Sequence, residues 1–159
     1  MLQDNNPISN NIDEESVEGH LLESWETEAG ELKATVHGVV GDGQTSYLSI
    51  SCDKSFIGQK NIKLYMYTRK SIFKPDSKIQ FRSDVDGVKN FAIDGKINVD
   101  HFFIKNESYL SKVRNFMSSL NGERFQVSIE GYKGAIVSDF PSNGFKEAME
   151  PIWDYCPSG

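Results

Sequence analysis

From Leu32 onward, apolar and polar positions alternate in short runs broken by glycine, proline and asparagine, the pattern of half-buried strands. Residues 32–40 place apolar side chains at Leu32, Ala34 and Val36 and then at Val39 and Val40. Gly41 and Gly43 end that run with turn chemistry, because glycine accepts positive φ without steric cost. Tyr47, Leu48 and Ile50 open a second strand that closes at Cys52, and the two are predicted to form a hairpin. Residues 61–68 set Ile62, Leu64 and Met66 against Lys63, Tyr65 and Tyr67. Residues 78–85 repeat the alternation, with Ile79, Phe81 and Ser83 inward, Gln80, Arg82 and Asp84 outward, and a turn over 75–78 before them. Asp86 with Gly87, and Asp94 with Gly95, bracket a strand over 89–93, so this stretch reads as a meander. Residues 98–104 read as one further strand.

Two segments change to helical spacing. Ser108 is placed to cap 109–120, where Leu110, Val113, Phe116, Met117 and Leu120 share a face and Asn121 with Gly122 stops the turn. Strands over 124–129 and 135–140 follow, joined by a turn at 130–134. Residues 144–155 form the last helix, with Phe145, Ala148, Met149, Ile152 and Trp153 on one face, and Pro151 is expected to kink or shorten it. The sum is a mainly β chain, an antiparallel β-sandwich of seven or eight strands with two short helices.

Composition sets the scale. With 159 residues, 38% of them hydrophobic and ten of them Phe, one domain with one core is expected. The net charge of −6 is unevenly spread, since residues 1–31 hold acids and no Lys or Arg while the rest is mildly basic. The division is therefore an acidic, disordered leader over 1–24 and a single β-sandwich domain over 25–159. No apolar run is long enough for a membrane-crossing helix, and the first residues lack the basic-then-apolar order of a secretory signal.

Candidate chemistry is sparse. Cys52 closes an early strand and Cys156 the last helix, so they are either a disulfide or two separate thiols. His20, His37 and His101 stand at no metal-site spacing, and with two cysteines and no C-x-x-C neither a metal nor a cofactor is expected. No nucleophile elbow, zinc-peptidase helix or phosphate loop occurs. Arg82 and Asp84 project from one side of a strand, as an ion pair or as a guanidinium that grips a ligand carboxylate. Tyr65 and Tyr67 interleave with Lys63, Arg69 and Lys70, a composition that suits single-stranded nucleic acid, a glycan or a protein partner. The acidity of the whole chain argues against nucleic acid.

Residues 25–156 resemble a family of small bacterial cell-envelope proteins, best known through the type VI secretion-associated accessory proteins of the VasI/TagO type. The likeness is carried by Trp25, by the strand ending in Cys52, by Arg82 and Asp84 after Phe81, and by a closing segment. That segment reads Phe-x-x-x-Gly-Phe-x-x-Ala-(x)7-Cys, here Phe140, Gly144, Phe145, Ala148 and Cys156. The resemblance implies an all-β sandwich, export, a Cys52–Cys156 disulfide, and a binding or scaffolding role without catalysis. The long acidic leader is a departure, and no secretion-apparatus signature brings the type VI role with it. The function expected is a non-enzymatic binding or accessory protein of the envelope, with a protein partner and a periplasmic address, or a cytoplasmic one if no export signal ever preceded this start. An inhibitor or immunity protein that blocks a partner enzyme is the alternative. A hydrolase assembled from dispersed acids such as Asp94 and Asp100 comes third.

Overall fold

A computed structural model of the chain describes residues 24–27, 32–41, 43–54, 60–69, 71–84 and 89–156. Apart from Ser24, the expected leader lies outside these residues, as does the turn expected at Asp86 and Gly87. The alternating runs become β1 (Glu26–Thr27), β2 (Lys33–Val40), β3 (Thr45–Lys54), β4 (Lys60–Thr68), β5 (Ile79–Ser83), β6 (Lys89–Ile93), β7 (Lys96–Asn98) and β8 (His101–Ile104). Then come α1 (Glu107–Ser118), β9 (Phe125–Gly131), β10 (Gly134–Phe140) and α2 (Phe145–Tyr155).

All pairings are antiparallel and join one continuous sheet in the order β6-β5-β9-β10-β2-β3-β4-β8-β7, with β1 beside β2. The sheet curls into a half-barrel instead of dividing into the two face-packed layers of a sandwich. The reason for the difference is that period-2 alternation tells each strand which side is dry, and a curled sheet has one dry side just as a pair of layers does. The expected β2–β3 hairpin is present, with Val36 opposite Leu48 and His37 opposite Tyr47.

Residues 98–104 depart from the expected single strand. They make a hairpin in which Asn98 pairs with His101 and Val99 takes a left-handed φ of 58°. A β-branched residue in that region carries no turn signal, and tertiary bonds hold it there. Phe73 N–H donates to the Val99 carbonyl at 2.7 Å, and Thr68 N–H to that of Asp100 at 3.0 Å. Helix α1 begins one residue before the expected cap, because Asn106 Oδ1 accepts from Tyr109 N–H at 3.0 Å. Helix α2 runs through Pro151 to Tyr155, so the proline does not shorten it.

The core fills the inside of the curl. Phe81 stacks on Phe91 at 5.1 Å, and Phe116 of α1 meets Phe81, Phe91 and Phe125 edge-on, so α1 rests on β5, β6 and β9. Helix α2 packs on β1, β2 and β3. Trp25 locks this corner, because its indole N–H donates to the Pro141 carbonyl at 3.0 Å and its ring meets Phe145 edge-on at 5.1 Å. Cys52 and Cys156 are joined by a disulfide with Cα atoms 5.9 Å apart, tying β3 to the end of α2.

One junction in the sheet is thin. β10 meets β2 at two register positions, Ser138 with Val40 and Asp139 with Val39, and a buried hydrogen bond between the Ser46 and Ser138 hydroxyls lies beside them. Gly38 makes this approach possible. Its Cα faces the Asp139 carbonyl oxygen and the Phe140 ring with no room for a side chain.

Candidate functional site

The outer face of the curl has two unlike halves. Over β5, β6, β9 and β10 it is polar and internally neutralised. There Arg82 pairs with Asp84 at 3.0 Å, Arg124 with Asp139 at 3.0 Å, and Lys78 with Asp94 at 2.8 Å. Lys78 holds the Asp94 carboxyl below the usual carboxylate range, with a hydrogen bond as the main cause, and the Tyr109 hydroxyl adds a bond at 3.4 Å.

Over β2, β3, β4 and β8 the same face carries rings. Their rows follow from register, since directly opposed residues of antiparallel strands share a side. His37 stands opposite Tyr47, Tyr47 opposite Tyr67, and Tyr67 opposite His101. The next row runs Thr35, Ser49, Tyr65, Phe103. His37 meets Tyr47 at 5.7 Å, Tyr47 meets Tyr65 at 6.2 Å, and Tyr65 meets His101 at 5.6 Å, so one zigzag of rings crosses four strands. Lysines flank it, with Lys33 Nζ 5.6 Å from the Tyr47 centroid and Lys63 and Lys105 at 5.8 and 5.4 Å from that of Phe103. Each ring or ammonium–ring contact is worth about 0.5–1.5 kcal/mol. The rings nevertheless remain half-buried, and none belongs to the core.

At the far end of the row His101 Nδ1 lies 3.1 Å from Asp100 Oδ1. Burial among its neighbours pushes the Tyr65 hydroxyl above its ordinary value, and the Asp100 carboxylate adds to the effect, since both disfavour the phenolate. Neutral Tyr65 therefore contributes stability that is fully present below the pKa of an unfolded tyrosine and is lost as pH rises through the higher folded value. Phenolate absorbance is expected to show Tyr65 lagging behind an ordinary tyrosine. Asp100→Asn should reduce the lag without removing it, because burial is the larger cause. A Tyr65→Phe variant whose titration curve keeps the same late component would contradict this.

The expected site residues end up in separate places. Tyr65 and Tyr67 lie at the centre of the ring face, whereas Arg82 lies on β5 and Asp84 just past its end, with β9, β10, β2 and β3 between β5 and β4. Arg82 already bonds Asp84 through Nε. Arg69 is exposed just beyond β4, and Lys70 lies outside the described residues. The sequence reading missed His37, Tyr47, His101 and Phe103 as companions of Tyr65. Their outward parity was visible on each strand, but the neighbour relation was not.

A groove of about 460 Å³ separates α1 from α2 and is lined by Arg114, Lys146, Glu147, Glu150, Trp153 and Asp154. The Arg114 guanidinium sits 4.4 Å from the Trp153 centroid, and the acids of the groove offset its two cations. Among the described residues no group of three His, Cys, Asp or Glu side chains is arranged to hold a metal ion, and no helix is long and apolar enough to cross a membrane. No family model, no curated protein and no solved structure matches this chain.

Proposed function

We propose that this is a non-enzymatic binding or accessory protein of the bacterial cell envelope, whose β scaffold presents the ring-and-lysine face of β2, β3, β4 and β8 to a protein partner. One observation carries the reading. A zigzag of His37, Tyr47, Tyr65 and His101 crosses four strands on the side away from the core, where a solvated sheet face ordinarily carries short polar or ion-paired side chains. The other half of the same outer face has that ordinary composition. Tyr, His and Phe with lysine stems give a partner large rigid contact area at low entropic cost. The periplasmic address draws on the Cys52–Cys156 bridge, since disulfides persist in oxidising compartments.

The test is affinity capture from a native envelope extract with the parent chain, a Tyr47→Ser/Tyr65→Ser double variant and an Arg82→Ala variant. The expected result is one envelope protein recovered in stoichiometric amount with the parent and with Arg82→Ala, and reduced at least about tenfold with the double variant, as for loss of ring anchors worth 1.4 kcal/mol or more. Equal recovery with all three would remove the ring face from the account. A stoichiometric hydrolase or toxin whose activity the chain suppresses would replace the accessory reading with that of an inhibitor or immunity protein.

A further inference from the structure

The loops at one end of the curled sheet carry side chains that the fold does not use. Register places Ser46 beside Thr68, Tyr67 beside His101 and Phe73 beside Gly131, so the β2–β3, β7–β8 and β9–β10 turns and the β4–β5 connection share this end. Among the described residues four large apolar or aromatic side chains are exposed, Val39, Ile72, Val99 and Tyr132, at 44%, 57%, 58% and 66%. All four stand at this end or one step below it.

The backbone explains why these side chains face out, but not why they are apolar. Phe73 plugs the mouth of the curl, with its buried ring 6.2 Å from that of Phe102, its N–H donating to the Val99 carbonyl at 2.7 Å and a bridge to Gly131. Neighbours in an extended segment point opposite ways, so a buried Phe73 commits Ile72 and Lys74 to the outside. The antiparallel bridge brings Ile72 and Tyr132 alongside each other. Val99 is more telling. Its φ of 58° is a left-handed backbone that asparagine or glycine adopts at less cost, and the bond its carbonyl accepts would be kept by either. A β-branched side chain held in that strain and turned to the outside gives the core little, which directs its use to something beyond the chain.

Charge decides what these tips fit. Residues 69–74 include Arg69, Lys70 and Lys74 and no acid, and Lys133 follows Tyr132. Lys74 and Lys133 are exposed and form no ion pair among the described residues. Of the acids nearby, Asp100 lies 3.1 Å from His101 Nδ1, Glu130 sits back within β9 and Asp76 follows Pro75, so the tips themselves carry cations. Apolar tips on three separate loops, set among ammonium groups, match a soft surface that is apolar within and anionic at its skin. Tyrosine suits such a boundary, and lysine stems lie along apolar chains while their ammonium groups reach phosphate.

We propose that this end of the molecule docks on an anionic phospholipid surface, with Ile72, Val99 and Tyr132 entering the headgroup layer and Lys74 and Lys133 meeting lipid phosphates. Insertion of this kind is shallow, about 5–10 Å, and needs no crossing helix. Each ammonium strengthens binding to an anionic surface about fivefold. The ring face, on the side of the sheet, stays open to its own partner. The inference stands on the loops alone and holds whatever occupies that face.

Co-sedimentation of the full chain with phospholipid vesicles tests it. Binding to vesicles of phosphatidylcholine and phosphatidylglycerol in equal parts is expected, at least about tenfold stronger than to phosphatidylcholine alone and weakened by salt. Ile72→Ser combined with Tyr132→Ser should lower it at least about tenfold. Lys74→Gln combined with Lys133→Gln should remove most of the preference for the anionic lipid, whereas Lys112→Gln, on α1, should keep it. Val99→Asn separates folding from docking, since the midpoint of thermal unfolding should hold or rise while vesicle binding falls at least about threefold. A lower midpoint would mean that the valine serves the fold, and would overturn its place at the surface. No binding to either vesicle, equal binding to both, or binding that ignores the Ile72 and Tyr132 changes would overturn the proposal. A dimer or a protein complex lost with those changes while vesicles stay unbound would overturn it too. Capture of the envelope partner through Tyr47 and Tyr65 is read separately, so either reading can fail while the other stands.

Discussion

Replacing Cys52 and Cys156 together by alanine is expected to lower the stability of the folded chain by about 4–5 kcal/mol. The two cysteines are 104 residues apart in sequence, so the bridge removes the closure entropy of a very long loop from the unfolded chain. Both side chains are buried, and alanine avoids the orphaned hydroxyl that serine would leave there. For a domain of this size the midpoint of thermal unfolding should fall by roughly 8–20 °C. The native fold should survive the change. Trp25 still ties the start of α2 to the body, and the Thr27 hydroxyl still donates to the Ala148 carbonyl at 2.6 Å. Denaturant titrations of the parent, the reduced parent and the double variant provide the check. A loss below about 1 kcal/mol would mean that the unfolded chain is already compact where the bridge acts.

Gly38→Val should cost about 3 kcal/mol, the upper part of the range for forcing atoms into a packed interior. The added carbons meet a backbone carbonyl, that of Asp139, and the fully buried Phe140 ring, neither of which can swing aside as a flexible side chain would. The site is also where β10 meets β2 at two register positions, so little other pairing holds the strands together while they adjust. Amide exchange should accelerate at Val39, Val40 and Asp139 before it does in the β2–β3 hairpin. Gly41→Ala is the control. Gly41 has open space around it and no left-handed φ, so its change should stay within about 0.5 kcal/mol. Equal losses at Gly38 and Gly41 would contradict the close-approach argument.

Local structure was well signalled in the sequence. The β2–β3 hairpin, the wet and dry sides of β4 and β5, and the apolar stripes of α1 and α2 all follow from spacing between near neighbours. Partnerships between distant strands were not signalled. Alternation assigns Tyr65 and His101 to the outside of their strands, but nothing local says that β4 lies beside β8 or that His37 begins the row that His101 ends. The same blindness hid the single curled sheet, because β10 finds β2 across almost the whole domain. It also explains Val99, whose left-handed backbone is imposed by Phe73 from another part of the chain. Arg82 and Asp84 were legible as a pair, and their distance from the tyrosines was not.

The β2–β10 seam also sets a timetable. As the polypeptide is made, the first hairpin can zip up at once, yet the Val39–Val40 end of its β2 edge, past the stretch that β1 covers, has nothing to lie against until β10 emerges near the other end. Folding of this kind has a high contact order and is slow. The Cys52 thiol must likewise wait through 104 residues of synthesis before its mate exists, so sulfur oxidation is a finishing step performed on a nearly complete body.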